Sequence, residues 1–142
     1  QGMLARGSCE IREAGRRAVT DDTLSTGVQG EDIACRHLME KGYTIVDRNW
    51  RSGHTEIDII ARDGNVLVFC EVKTSLTPRF GSAVGWVTSR KTGRIARTAL
   101  AYIASHRIAG CPFRFDVIAI DVRDGEAMVN HIVNAFDAPG GL

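Results

Sequence analysis

Two apolar, β-branched runs, Glu56-Ile57-Asp58-Ile59-Ile60 and Phe69-Cys70-Glu71-Val72-Lys73, flank the stretch Arg62-Asp63-Gly64-Asn65. That stretch carries both Asp-Gly and Gly-Asn, residue types that tolerate the positive φ of tight hairpin turns. Successive side chains of a strand point to opposite faces, so Glu56 and Asp58 are expected on one face and Ile57 and Ile59 on the other. Glu71 and Lys73 share a face in the same way. A two-residue Gly64-Asn65 loop sets Asp58 opposite Glu71 and Glu56 opposite Lys73. A loop over Asp63-Gly64 shifts the pairing by two and still keeps the four groups together, whereas an odd-length loop splits them unless a bulge intervenes.

Acids and a lysine gathered on one hairpin face are the layout of a metal-dependent phosphodiesterase centre. The alternative is a solvated face with a cross-strand Glu56–Lys73 ion pair. The excess of acids weighs against it, because like charges set opposite each other repel. An isolated Glu-x-Lys means nothing in a chain that is 25% charged, where chance supplies one about half the time. The information lies in the acidic pair upstream, the β-rich flanks and the turn between them.

The remaining segments place this hairpin in a fold. Residues 26–41 read as a helix closed by Gly42, with Glu31, Ala34, Cys35 and Leu38 on one stripe. A glutamate on an apolar stripe destabilises unless it has a partner such as a cation or a metal-bound water. The competing reading is a first-turn acid favoured by the helix dipole. Residues 43–50, 54–62 and 66–73 read as strands. Residues 74–88, with Pro78, Arg79, Phe80, Gly81, Gly85 and Trp86, form a loop placed to close over a substrate. A second helix is expected over 89–106, capped by Thr88 or Ser89, with Ile95, Ala99, Tyr102 and Ile103 as its apolar stripe. Its Arg90, Lys91, Arg94 and Arg97 put four cations in eight residues. They are either an ordinary solvated face or a phosphate-binding surface. Residues 113–122 read as a strand apolar on both faces, hence interior to the sheet, and 127–134 as a last strand after Asp124-Gly125. The order α-β-β-β-α-β-β predicts an α/β (α+β) fold with a mixed central sheet flanked by helices: an antiparallel meander, then a right-handed helical crossover.

Composition bounds the function classes. A chain of 142 residues with net charge +1 is one domain with a real core. It shows no bulk attraction to polyanions, so any nucleic-acid surface must come from clustering. The four cysteines, Cys9, Cys35, Cys70 and Cys111, are spread singly, which argues for reduced thiols in the cytoplasm and against a structural zinc site. No apolar run reaches membrane length. Gln1-Gly2-Met3 resembles a cleavage scar before a natural start. Residues 1–25 are expected to be a disordered extension, 26–137 the single domain, and 138–142 a flexible tail.

The motifs Gly27-x-x-Gly30-Glu31, Gly42-Tyr43, Arg48-Asn49-x-Arg51, Glu56-Ile57-Asp58-x-Ile60, Phe69-x-Glu71-Val72-Lys73, Phe80-Gly81, Lys91 and Arg114-Phe115-Asp116 together resemble the uncharacterised YraN-like family over about residues 27–122. That family is similar to the Holliday-junction resolvases of the PD-(D/E)xK nuclease superfamily. The resemblance implies a restriction-endonuclease-like fold and metal-dependent cleavage of DNA, branched or single-stranded. It maps the superfamily's strand acid onto Asp58, its Glu-x-Lys onto Glu71 and Lys73, and its helix acid onto Glu31. Asp58, Glu71 and the Val72 carbonyl would then bind Mg²⁺ or Mn²⁺, with Lys73 as a further cation and Glu56 beside the ligands. Arg51, Arg79, Arg90, Lys91, Arg94 and Arg97 are the expected nucleic-acid contacts, and a homodimer would match the two cleavage points of a four-way junction. Thr55 and Ser75 depart from the family pattern, which usually has Gly before Glu-Ile-Asp and a basic residue after Lys-Thr. The second departure removes a phosphate-binding charge. An RNA nuclease, or a non-catalytic nucleic-acid-binding module on the same fold, are the alternatives.

Overall fold

The computed structural model describes residues 26–75 and 89–137. The expected extension and tail and residues 76–88 of the expected loop lie outside them, as do Arg79 and the side chain of Arg90, while Thr74 and Ser75, expected in that loop, continue a strand. Helix α1 (Thr26–Glu40) leads into strands β1 (Thr44–Ser52), β2 (Thr55–Asp63) and β3 (Val66–Ser75). Helix α2 (Ser89–Ser105) precedes β4 (Phe113–Arg123) and β5 (Glu126–Phe136). This is the expected α-β-β-β-α-β-β order, and the strands form one five-stranded sheet in the order β1-β2-β3-β4-β5. Only β3 and β4 run parallel, which is why α2 lies between them in sequence: a parallel pair needs a crossover, an antiparallel one only a turn.

Local sequence fixes the helix ends. Gly42 sits at φ +94, where only glycine avoids a Cβ penalty. The amides of Gly42 and Tyr43 donate to the carbonyls of Met39 (3.0 Å) and Leu38 (2.9 Å), a Schellman closure. Leu38 and Tyr43 both belong to the core beneath α1, so the cap also fixes how the helix leaves the sheet.

Each face of the sheet carries one helix. Ala34, Cys35 and Leu38 of α1 pack on Ile59, Ala61, Val68, Cys70, Ile118 and Ile120. Ile95, Ala96, Ala99 and Tyr102 of α2 pack on Ile60, Leu67, Phe69 and Phe115 of the other face. Burying side chains such as Leu38 and Tyr102, both 0% exposed, contributes about 1.5–3 kcal/mol apiece.

Helix α1 approaches β3 closely at Gly30. A Cβ there would collide with Thr74 Oγ1 and lie 3.2 Å from Thr74 Cβ. Glycine inside a helix normally destabilises it by about 1 kcal/mol relative to alanine. Here the order is reversed: Gly30→Ala is expected to lower stability by about 1–3 kcal/mol, the range for overpacking. Thr74→Ala should restore most of the loss in the double variant. Urea unfolding of the three variants checks this, and a Gly30→Ala protein more stable than wild type would show that α1 can move off β3.

Candidate metal centre at the open end of the β2–β3 hairpin

The β2–β3 turn is the two-residue loop Gly64-Asn65, since Asp63 pairs with Val66. Gly64 takes φ +62, as the first loop position of a type II′ turn requires. The register runs from Asp63↔Val66 to Ile59↔Cys70, and one further step sets Asp58 opposite Glu71, as the turn predicts. The ladder ends there. Instead of a backbone carbonyl, Asp58 Oδ2 accepts the Val72 N–H at 2.8 Å. The two polar groups of one strand residue point to the same side. The Val72 carbonyl therefore also faces Asp58, beyond the last rung.

That opening corrects one expectation. Ile57 packs in the α2-side core and Ile59 in the α1-side core, so they do not share a face as strict alternation demands. The alternation breaks at Asp58, where β1 runs alongside with Asn49 at φ +52 between Arg48 and Trp50. The Asp58 carboxylate shares a hydrogen bond with Glu71 across the gap.

Burial and mutual repulsion dominate the electrostatics. Burial, then the Glu71 charge, pushes Asp58 up to about 8, against the opposing hydrogen bond from Val72 N–H; Glu31 and Glu56 raise it further. Glu71 is also raised, mainly by burial, and is held back by Lys91 and by a hydrogen bond with Asp58. Two adjacent carboxylates that share a hydrogen bond retain a proton between them at neutral pH. Lys91 Nζ lies 3.1 Å from Glu71 Oε2.

Glu31 faces this pair from α1. No acid lies in the first turn of α1, so the first-turn alternative fails and Glu31 has side-chain partners instead. Burial raises its pKa, while Asn49 and Arg48 oppose that. Arg48 Nη2 is 3.7 Å from Glu31 and its Nη1 2.8 Å from the buried Asp32. Asn49 holds φ +52, uncommon for a non-glycine residue and a point of backbone strain within β1. Glu56 pairs with Arg51 Nε at 3.0 Å, which gives it a cross-strand partner on β1.

Two carboxylates, a carbonyl on the same side and raised pKa values suit a hard divalent cation. Among the described residues no three His, Cys, Asp or Glu side chains are grouped as ligands about one point.

The other expected site residues are dispersed. Lys73 is exposed two residues beyond Glu71 on β3. Arg94 and Arg97 are exposed on α2. Lys91, expected at a phosphate, has Glu71 as its partner. Sequence reasoning overlooked Arg48 and Asn49 as supports of Glu31, although both stand in the motif Arg48-Asn49-x-Arg51. It also overlooked a buried network on β4 and β5. Asp116 accepts from His131 Nε2 (2.7 Å), Arg114 Nε (3.0 Å) and the Asn134 amide (2.9 Å). Arg114 continues to Tyr43 and Asp63, and Lys41 donates to His131 Nδ1.

With this geometry in hand, the pattern of the uncharacterised protein family UPF0102 matches residues 30–120. The chain belongs to that family. A UPF0102 protein of Frankia casuarinae is 46% identical over 108 residues, covering 75% of this chain and 92% of the relative. One from Syntrophomonas wolfei is 40% identical over 110 residues, covering 78% and 96%. The YraN-like motifs are those of this family, and Glu31, Asp58, Glu71 and Lys73 all fall inside the matched span. Among solved structures, the Ca²⁺ complex of Pyrococcus furiosus SfsA shows a distant likeness, with a TM-score of 0.38 and 14% identity over 77% of this chain and 63% of that one. Among the described residues no helix is long and apolar enough to cross a membrane.

Proposed function

We propose that this UPF0102 protein is a divalent-cation-dependent phosphodiesterase that cuts DNA, with branched or single-stranded forms as substrate. The observation that carries the reading is the Asp58–Glu71 pair: two largely buried carboxylates in contact, both raised in pKa. Such repulsion persists in a fold when a cation offsets it in the working state.

Asp58, Glu71 and the Val72 carbonyl would hold Mg²⁺ or Mn²⁺. Such an ion acidifies water and neutralises charge growing on the phosphoryl oxygens. The Val72 N–H fixes one Asp58 oxygen and leaves the other for the ligand role. Lys73, on the exposed strand end beyond Glu71, brings a cation to the phosphate or to the attacking water. Glu31, steadied by Arg48 and Asn49, faces the pair as an acceptor that orients water. Arg94 and Arg97 supply sequence-independent charge for a polyphosphate backbone.

The test uses labelled duplex, flap, single-stranded and four-way DNA, with matched RNA, in Mn²⁺ or EDTA. Cleavage should require Mn²⁺ and fall on the order of 100-fold in Lys73→Ala, the effect of removing one preorganised positive group. Cleavage that survives EDTA, or is equal in Lys73→Ala, defeats the mechanism. Metal-independent binding with no cleavage of any substrate would instead support a non-catalytic binding module.

A further inference from the structure

Lys91 is placed where a helix does not favour it. It is the third residue of α2, and the first turn of that helix carries no acid, so its ammonium sits at the positive end of the dipole. What draws it inward is Glu71, 3.1 Å away and only 14% exposed, while the lysine side chain itself is 38% exposed. Lys91 is the main charge holding the Glu71 carboxylate down against burial. The helix thus contributes a tethered single positive charge to the carboxylate that the proposed metal centre needs.

A tethered ammonium and a divalent cation compete for the same oxygens. An ion seated between Asp58 and Glu71 brings two positive charges to the carboxylate that Lys91 contacts. The attraction holding the lysine is then replaced by repulsion between cations. Its flexible four-carbon stem can turn outward without moving the backbone. Arg94 follows one helical turn later and is exposed, and residues three apart are neighbours on a helix surface. Turned outward, Lys91 stands beside Arg94 on the exposed face of α2.

We propose that Lys91 is an exchangeable counter-ion: it neutralises Glu71 when no divalent ion is bound, is displaced when one binds, and then contacts a phosphate of the nucleic-acid substrate. Metal and polyanion binding become coupled through one side chain. The coupling is reciprocal, so DNA tightens the metal as much as the metal tightens DNA. This inference rests on the reading of Asp58 and Glu71 as metal ligands, and it adds a regulation which that reading does not require.

Two measurements on wild type and Lys91→Met test it. The first is Mn²⁺ affinity without DNA. With its competitor removed, Lys91→Met should bind Mn²⁺ about fivefold more tightly, within the usual range of coupling between sites. The second is the affinity for fluorescein-labelled single-stranded DNA with EDTA and with Ca²⁺, used as an ion expected to bind without supporting cleavage. Ca²⁺ should tighten DNA binding by about tenfold in wild type and by less than about threefold in Lys91→Met. Equal or weaker Mn²⁺ binding in the variant overturns the competition. An equal Ca²⁺ effect in both proteins, or none in wild type, overturns the release to phosphate. If wild type binds no Mn²⁺, the metal-centre reading itself falls and the inference with it, an outcome distinct from failure of the exchange alone.

Discussion

Asp58→Asn is expected to make the metal-free protein more stable at pH 8, by about 1–3 kcal/mol, and to abolish its stabilisation by Mn²⁺. The folded state raises Asp58 from the ordinary carboxylate value of 3.8 to about 8. Between those values the folded protein keeps a proton that the unfolded chain releases, so stability falls as pH rises through that window. Below pH 4 both states are protonated and nothing is lost. Asparagine reproduces the neutral acid: its oxygen can accept from Val72 N–H, and its amide can donate to Glu71. Wild type and variant should therefore match near pH 4 and diverge towards pH 8. A full shift at about 1.4 kcal/mol per unit sets an upper bound, and the shared proton with Glu71 brings the expected gain below it. Mn²⁺ at a hundred times its dissociation constant should stabilise wild type by about 2.7 kcal/mol, an increment the variant lacks. If Asp58 were instead a structural acceptor, its loss would lower stability by about 1–3 kcal/mol at every pH. Thermal melts at pH 4, 6 and 8, in EDTA and in Mn²⁺, separate the two. A drop in EDTA with the metal response intact defeats the metal centre.

What the sequence made legible follows from how local each signal is. The helix end at Gly42 and the β2–β3 turn depend on two or three adjacent residues: Gly42 closes the helix as expected, and Gly64-Asn65 is the loop chosen from those the residues allowed. The stripe of Ala34, Cys35 and Leu38 depends on helix periodicity alone, and all three are buried. The parting of Ile57 and Ile59 into different cores was hidden, because alternation assumes a regular strand throughout. The inward turn of Lys91 was hidden too, since a helix stripe says nothing of what lies beneath the helix start. Arg48 supports Glu31 from a different element, and no short-range pattern encodes that meeting. Residues 113–122 read as apolar on both faces, yet β4 buries both Asp116 and Asp121. An acid inside an interior strand implies a polar partner. His131 and Arg114 became visible as partners only when β5 was laid against β4.

Asp116 carries the second large effect. Its side chain is fully buried and accepts from Arg114, His131 and the Asn134 amide. His131 receives a hydrogen bond at Nδ1 from Lys41, so the neutral ring carries its proton on Nε2 and donates to Asp116. Asp116→Ala removes the common acceptor and leaves a guanidinium, an imidazole N–H and a backbone amide without it. Breaking a buried charge network by deleting one partner costs about 3–5 kcal/mol, which lowers the melting temperature by roughly 10–20 °C in a domain of this size. The pH dependence has the opposite sign to that of Asp58. Burial alone would raise Asp116, but the hydrogen bonds from His131, Arg114 and the Asn134 amide outweigh it and hold the carboxyl below its usual range. Its contribution is present above the ordinary carboxylate value and is lost as pH falls through the lowered one. Wild type should lose this stability in acid, while Asp116→Ala, having nothing left to protonate, should show a shallower acid limb. Asp116→Asn retains one acceptor oxygen and should fall between the two while keeping the Mn²⁺ increment, because the partners of Asp116 are Arg114, His131 and the Asn134 amide rather than Asp58 or Glu71. A loss under about 1 kcal/mol in Asp116→Ala would mean that Arg114 and His131 find other acceptors, and the network would then be a consequence of the β4–β5 pairing rather than what secures it.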